Sequence, residues 1–469
     1  MTIDILPDEA LLEIFSLYLA EASEHIEPWL PLVHVCQRWR SIVFGSPRRL
    51  DVRVLYTLGR QVNVMLDIWP NLPIHISRVP LDGYKASRGD HENNLIAALE
   101  HTNRICQIQL KGFPSSELER ILPAMQKPFP ALTSLDIDCC NDNFLDAMVV
   151  LPGAFLGGSA QRLRSCNLMD VEFPGIWKLL STANHLVTLV LWNIPHSMYA
   201  SPEEMATCLS MMANLESLSI GFRPSQSLHN RPYQPSRLLS PLTRVILPSL
   251  TKFDFQVMGE YIEDFVSRID APLLDNVNIT FFDQPSLHTP LLHDFLACIE
   301  KFKAHSRGAV VFYGFSIEFE LKLELGLLSF GIRCREFGQQ VSSMAQLCGS
   351  SLHLSSALKR LDIHEGFAQA LGLHSGLEQG AENRQWLDLL HPFKGVEDLY
   401  LGKGPEVYCA LALQELSGVR VTEVLPALQN LFVQGLEQSG QVQEALGKFV
   451  AARHLSGLPV VVHSWDGWS

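Results

Sequence analysis

The sequence is short of positive charge and of cysteine. The 469-residue chain has 36 lysine and arginine residues against 50 aspartate and glutamate residues, a formal net charge of −14. We expect no nucleic-acid partner, because clustered basic residues make most contacts to a phosphate backbone. The 10 cysteines include no C-x-x-C pair, which is typical of thiols kept reduced inside a cell. These shortages predict a cytoplasmic or nuclear protein.

Long apolar runs are also missing. The longest uncharged stretch that leans apolar, 179–195, is interrupted by serine, threonine, asparagine and histidine, and it is too polar to span a bilayer. The first residues, Met1 to Asp4, lack the basic stretch and apolar core of a signal peptide. We expect a soluble chain without a membrane partner.

Catalytic signatures are the third absence. The sequence has no phosphate-binding P-loop, no H-E-x-x-H zinc motif and no G-x-S-x-G nucleophile turn. Its 17 histidines do not group with cysteines or carboxylates at the spacing of metal ligands. We therefore expect no catalytic residues, no metal and no cofactor. An α/β enzyme with an unrecognised site stays open as an alternative.

The first 50 residues predict two amphipathic helices. Pro7 stands where a first helical turn needs no N–H donor, and Asp8 and Glu9 suit the positive end of the helix dipole. The first helix presents an apolar face at helical spacing, formed by Leu11, Ile14, Phe15 and Tyr18. The second, in LPLVHVCQRWRSIVF, presents Leu32, Val35, Cys36, Trp39 and Ile42. A helical cap on a larger domain would account for both.

The residue identities are more specific than the amphipathic pattern. LPDEALLEIF, then V-C-x-x-W, then SPRRLDVRV resemble, in this order, the signature of the F-box family, whose members dock onto the adaptor of SCF ubiquitin ligases. The layout is also similar to F-box proteins of mushroom-forming fungi. The sequence departs from the family at Leu50-Asp51, where Leu-Trp is common. The resemblance implies an adaptor-binding set: Leu6, Pro7, Leu11, Leu12, Val35 and Trp39.

A degenerate repeat begins near residue 105. The pattern apolar-x-x-apolar-x-apolar predicts a short strand with one buried face, and capped helical stripes are written between its copies. The copies begin at Ile105, Leu132, Leu163, Leu186, Leu215, Leu250, Leu274, Leu358, Val396 and Leu428. The long gap before Leu358 predicts irregular units, one of them at Phe312, Phe315 and Ile317. The helices include one behind a Ser116-x-x-Glu119 capping box, shortened by Pro123, and one behind Ser201 and Glu204.

These copies resemble leucine-rich repeats, with the ladder residue of that family plain only as Cys140 after Leu132, Leu135 and Ile137. The fold class expected is α/β: a small N-terminal F-box and an irregular leucine-rich-repeat-like solenoid, with parallel strands inside and helices outside. A doubly wound α/β sheet is the alternative. The domains expected are 1–50 F-box, 51–103 linker or irregular first repeat, 104–440 solenoid, and 441–469 C-terminal capping helix and strand.

The leading hypothesis is a non-catalytic substrate receptor of an SCF-type ligase, with an adaptor, a cullin reached through it, and an unknown target protein as partners. A scaffold protein without ubiquitin transfer is the rival. Residues that alternate with the buried strand positions point to the open face of the sheet. The target-binding candidates there are the aromatic Trp192, Tyr400 and Phe432 as anchors and Asp136, Asp254 and Asp362 for orientation.

Overall fold

A computed structural model shows an α/β chain that divides into two compact units, the first of which includes the N-terminal helices. The first unit comprises Met1–Ala200 with Met211–Leu215, and the second comprises Ser201–Ser210 with Glu216–Ser469. The predicted domain boundaries after residues 50, 103 and 440 stay predictions. The structure describes residues 5–21, 27–56, 64, 66, 72–77, 88–140, 148–223, 244–282, 287, 289–303, 305–323, 326–350, 355–366, 382–416, 420–436 and 440–466.

The chain begins with three helices: α1 (Asp8–Glu21), α2 (Leu30–Val35) and α3 (Gln37–Gly45). The second helix expected from the sequence is therefore two short helices. Cys36 separates them because its backbone is extended, with φ −158°, and an extended residue cannot continue the helical hydrogen bonds. Arg40 Nε donates to the carbonyl oxygen of Val33 at 3.1 Å and so satisfies an acceptor near the end of α2.

The first unit continues as a parallel sheet in the order β1-β2-β3-β4-β6-β8. Short strands β5 and β7 pair separately. The elements are β1 (Val54–Tyr56), β2 (Ile74–Ser77), α4 (Arg88–Leu99), β3 (Ile105–Pro114), α5 (Ser115–Ile121), β4 (Ser134–Cys140), β5 (Val149–Val150), β6 (Ser165–Met169), β7 (Val171–Glu172), α6 (Ile176–Leu180) and β8 (Thr188–Ile194).

The second unit has a longer, mostly parallel sheet in the order β9-β11-β13-β16-β15-β14-β17-β18-β19-β20, with β10 and β12 paired separately. The elements are α7 (Pro202–Leu209), β9 (Ser217–Phe222), β10 (Val245–Ile246), β11 (Lys252–Val257), α8 (Gly259–Ser267), β12 (Ile269–Asp270), β13 (Asn276–Phe282), α9 (Pro290–Ala297), β14 (Arg307–Tyr313), β15 (Ser316–Leu323), β16 (Gly326–Arg333), α10 (Phe337–Ser350), β17 (Arg360–Glu365), α11 (Asn383–Leu390), β18 (Asp398–Leu401), α12 (Pro405–Gln414), α13 (Arg420–Glu423), β19 (Asn430–Gln434), α14 (Gly440–Leu455) and β20 (Val461–Trp465).

The repeat pattern is confirmed at all ten copies. The apolar residue that begins each copy is buried, and it lies at the start of a strand or two residues before one. Burial alternates along strands such as β6, β18 and β19, so each has one covered face. A doubly wound sheet would cover both faces of its strands, and the alternation instead favours the leucine-rich-repeat-like arrangement. Cys140 ends β4, but its side chain lies outside the described set.

The segment around Phe312, Phe315 and Ile317 departs from the regular parallel repeat, as expected from the long gap before Leu358. Phe312 is in β14 and Ile317 in β15, and these strands form an antiparallel hairpin whose turn carries Phe315. Strand β16 then returns to pair with β13, while β14 pairs with β17. Ile317, Phe319 and Leu321 alternate with polar residues, which gives β15 one covered face.

The two predicted capping boxes have different outcomes. Ser201 caps α7 as expected, since its Oγ accepts from the Glu204 backbone N–H at 3.2 Å and Glu204 Oε2 accepts from the Ser201 N–H at 2.9 Å. The box at Ser116 is wrong, because α5 already begins at Ser115 and Pro114 precedes it without a side-chain cap. Pro123 shortens α5 as expected, and a 3₁₀ turn follows Ile121. None of the helices described is both long and apolar enough to cross a bilayer.

Candidate functional site

The N-terminal helical domain, α1 to α3, packs around an apolar core that continues to Val54 in β1 and to Leu72. Its fully buried side chains come from all three helices and include Leu11, Phe15, Val33 and Val43. The rings of Phe15 and Trp39 lie 4.7 Å apart between centroids, a contact that adds to the burial of apolar area. The three helices therefore cover one another.

Polar contacts fix this domain at two ends. The Arg38 guanidinium donates to Asp8 Oδ1 and to the carbonyl oxygen of Leu6, both at 2.6 Å, which holds the beginning of α1 against α3. The Trp29 indole donates to the carbonyl oxygen of Arg53 at 2.9 Å, which ties the helices to the residue before β1. These contacts give the helical surface a defined geometry.

The same domain exposes an unusual share of apolar surface. Of the 13 exposed large apolar side chains in the described part of the chain, five lie between residues 5 and 35. This exposed apolar set consists of Ile5, Ile14, Leu17, Tyr18 and Val35, with Ile5 74% and Leu17 64% exposed. Three of its members, at positions 14, 17 and 18, lie along one stripe of α1. Exposed apolar surface grouped in this way is typical of a protein-binding site.

The open face of the first unit, opposite its buried side chains, carries a polar cluster. Asp136 accepts from Asn167 Nδ2 at 2.9 Å and pairs with Lys111 at 3.2 Å. Burial, followed by repulsion from Asp170 and Asp136, raises the pKa of Asp138. Trp192 lies two strands away in the register row of Asp138 and is half-buried. Asp136 and Trp192 therefore share this face.

The open face of the second unit carries an aromatic ladder, defined as Tyr400, Phe432, His463 and Trp465. The register aligns Tyr400, Phe432 and His463 on three adjacent strands. Tyr400 and Phe432 stack at 4.2 Å and 8°, Phe432 and His463 lie 4.8 Å apart, and Trp465 meets Tyr400 edge-on at 5.5 Å. The guanidinium of Arg360 lies 3.7 Å over the Tyr400 ring. The ladder is therefore a rigid, half-buried aromatic surface.

Two aspartates of this face have different surroundings. Asp362 is 2% exposed, and its two carboxylate oxygens accept from Arg307 at 2.8 Å and Arg360 at 2.9 Å. Asp254 is half-buried and accepts from Ser219 at 3.0 Å and Asn278 at 3.1 Å. Burial raises the pKa of Asp254, and these two hydrogen bonds oppose the rise. The Asp362 carboxylate is already paired with two arginines of the protein, whereas the half-buried Asp254 remains partly accessible to a partner.

Comparison with known proteins identifies the helical domain. Residues 3–50 match the family model described as F-box-like. The chain begins with an F-box-like domain. No curated protein matches the chain.

One similar solved structure is the leucine-rich repeat-containing protein LegL7 from Legionella pneumophila. It is 15% identical, the match covers 84% of this chain and 97% of that one, and the TM-score is 0.27.

The F-box-like domain distributes the six predicted adaptor-binding residues between its surface and its core. Pro7 and Val35 are exposed. Leu6, Leu12 and Trp39 are partly buried and pack against the apolar core, and Leu11 is fully buried within it. Leu11 is thus placed to support the domain rather than to meet a partner directly.

Sequence reasoning missed several exposed residues. Ile14 and Tyr18 belong to the predicted apolar face of α1 but are exposed, and so are Leu17 and Ile5, for which the sequence predicts no role. The one sequence signal for this exposure is the nine apolar residues in the 14-residue helix α1, more than one buried face of a helix can hold. Glu318 and Glu320 on the open face of β15 were also missed. The alternation of apolar and polar residues in SIEFELKL predicts both glutamates on the open face of a strand.

Proposed function

We propose that this protein is a non-catalytic substrate receptor of an SCF-type cullin-RING ubiquitin ligase. The F-box-like domain binds the adaptor and, through it, a cullin, while the open sheet faces bind a target protein. Ubiquitin transfer then gains from proximity, because the receptor makes the encounter of target and charged enzyme nearly intramolecular. The chain acts in the cytoplasm or the nucleus.

The observation that carries the proposal is the exposed apolar set on a domain that matches the F-box-like family. Five apolar side chains left in water on so small a domain are costly unless a partner covers them. Arg38 holds the beginning of α1 against α3, so the surface is preorganised and little conformational entropy is lost on binding.

The proposal is tested by measuring adaptor binding after changes to exposed residues of α1 and α2. We expect Leu17→Ser with Val35→Ser to weaken binding to purified adaptor by about tenfold or more, because each change removes apolar area from the interface. The thermal midpoint should stay close to that of the unmodified chain, since both residues are exposed. Isothermal titration measures the affinity. Leu6→Ala with Pro7→Ala extends the test to the predicted adaptor-binding set.

The control is Leu455→Ser with Met211→Ser, which removes two apolar side chains exposed outside the F-box-like domain. This variant should bind adaptor normally. Equal binding by the Leu17 and Val35 variant would contradict the proposal. Recovery of adaptor without cullin from cells would favour the rival scaffold function, in which no ubiquitin is transferred.

A further inference from the structure

Three carboxylates gather on the open face at the centre of the second unit. Asp254 lies on β11, and Glu318 and Glu320 lie on β15. The register runs from Asp254 through Asn278 and Ser329 to Glu320 along one row. Glu318 occupies the next row on the same face, opposite Gly331. We call these five side chains, Asp254, Asn278, Glu318, Glu320 and Ser329, the acidic cluster.

The three carboxylates of the acidic cluster make no ion pair with a described residue, and Arg333, on the same face, donates to Gln256 instead. Burial raises the pKa of Glu318, and repulsion by Glu320 and Asp254 raises it further. Burial raises the pKa of Tyr313 to about 12, and Glu318 and Glu320 contribute to the rise. Asp362, on the same face, is paired with two arginines.

A buried oxygen within the acidic cluster also lacks a partner. Ser329 is 3% exposed, and its Oγ has no hydrogen-bond partner within the part of the chain that the structure describes. The neighbouring Asn278 Oδ1 is buried and unpaired as well. Buried polar atoms are rarely left in this state, because an unsatisfied group has lost its hydrogen bonds to water without replacement. A surface with this many acceptors can bind a positively charged hydrogen-bond donor of a partner.

We propose that the acidic cluster binds a lysine or arginine side chain of the target protein. The proposal rests on the proposed function, since it specifies the chemistry of the target that the receptor would hold. A long basic side chain offers several N–H donors and the opposite charge. Asp254 and Glu320 lie three strands apart, about 14 Å between backbones, so the acidic cluster offers acceptors over an area wider than the coordination sphere of one metal ion. No group of three metal-ligating side chains occurs in the described regions.

The test uses the purified full-length chain on arrays of short peptides that differ at one position. Each peptide carries lysine or arginine, or the neutral isosteres norleucine or citrulline. We expect basic peptides to be retained about tenfold more strongly than their isosteres. The variant Asp254→Asn, Glu318→Gln, Glu320→Gln should lose this preference. If it fails to fold, Glu318→Gln with Glu320→Gln keeps the hydrogen bonds of Asp254 and should lose most of the preference.

A matched control changes the net charge equally at exposed carboxylates of the second unit, with Glu415→Gln, Glu444→Gln and Asp466→Asn. This control should keep the preference for basic peptides. Equal retention of basic and neutral peptides, or none of either, would overturn the proposal. Equal loss of the preference in both triple variants would also overturn it, because it would indicate an effect of net charge alone. So would binding of Ca²⁺ or Mg²⁺, without peptide, that requires the three carboxylates. Adaptor binding is measured separately, so its failure counts only against the proposed ligase role.

Discussion

At the scale of single residues, Arg453 shows how a charge is accommodated in the core. Its side chain is completely buried in α14, and the guanidinium donates to the carbonyl oxygens of Val421 at 3.0 Å and Leu428 at 3.1 Å, with Pro426 at 3.4 Å. Val421 lies in α13, and Pro426 and Leu428 lie in the segment between α13 and β19. Arg453 thus donates to backbone carbonyls the hydrogen bonds that a helix or strand would otherwise provide.

Arg453→Met should lower the free energy of unfolding by about 2–4 kcal/mol, because it retains most of the apolar stem but leaves buried carbonyls without donors. Urea unfolding followed by circular dichroism provides the measurement. Lys448→Met, on an exposed position of the same helix, should change stability little. A variant as stable as the native chain would show that the carbonyls find other donors.

At the scale of elements, α7 demonstrates that a helix start can be specified by four residues. Ser201, Pro202, Glu203 and Glu204 form a reciprocal cap at the N-terminus of a short helix. Ser201→Ala should destabilise the protein by about 1 kcal/mol, because the Glu204 N–H loses its acceptor. Thermal unfolding would detect the change. Ser210→Ala, at the other end of α7, is the control and should have a smaller effect. The reverse ranking would refute the importance of the cap.

At the scale of the whole molecule, two surfaces should act independently. The F-box-like domain is proposed to bind the adaptor, and the open faces are proposed to bind the target. Tyr400→Ala and Phe432→Ala should each weaken target capture by about 1 kcal/mol or more, since stacked aromatic rings are effective binding anchors. Quantified recovery of target from cells with the proteasome blocked measures this, and Trp192→Ala applies the same test to the first unit.

Adaptor binding by these aromatic variants should be unchanged. Phe315→Ala removes an exposed ring at the turn of the hairpin and should capture target normally. Normal capture by the Tyr400 and Phe432 variants would remove the aromatic ladder from the proposed target site. Asp362 is left out of this test, because its carboxylate already serves Arg307 and Arg360.

The sequence by itself determined the elements with local signals. The ten repeat starts, the cap at Ser201 and the shortening of α5 by Pro123 all follow from the identities of a few consecutive residues. The alternation of buried and open positions also placed Tyr400 beside Phe432, because the same pattern in neighbouring copies puts equivalent residues in one register row.

Only the tertiary structure decided which surfaces remain uncovered and where the order of strands reverses. Leu11 and Leu17 are the same residue type on one helix, yet one is buried and the other is exposed, because the difference depends on how α2 and α3 pack against α1. Glu318 and Glu320 reach the face of Asp254 because β16, the neighbour of β15, pairs with β13, which lies well before it in the sequence. Such pairings depend on contacts across the whole sheet, and no local pattern of residues specifies them.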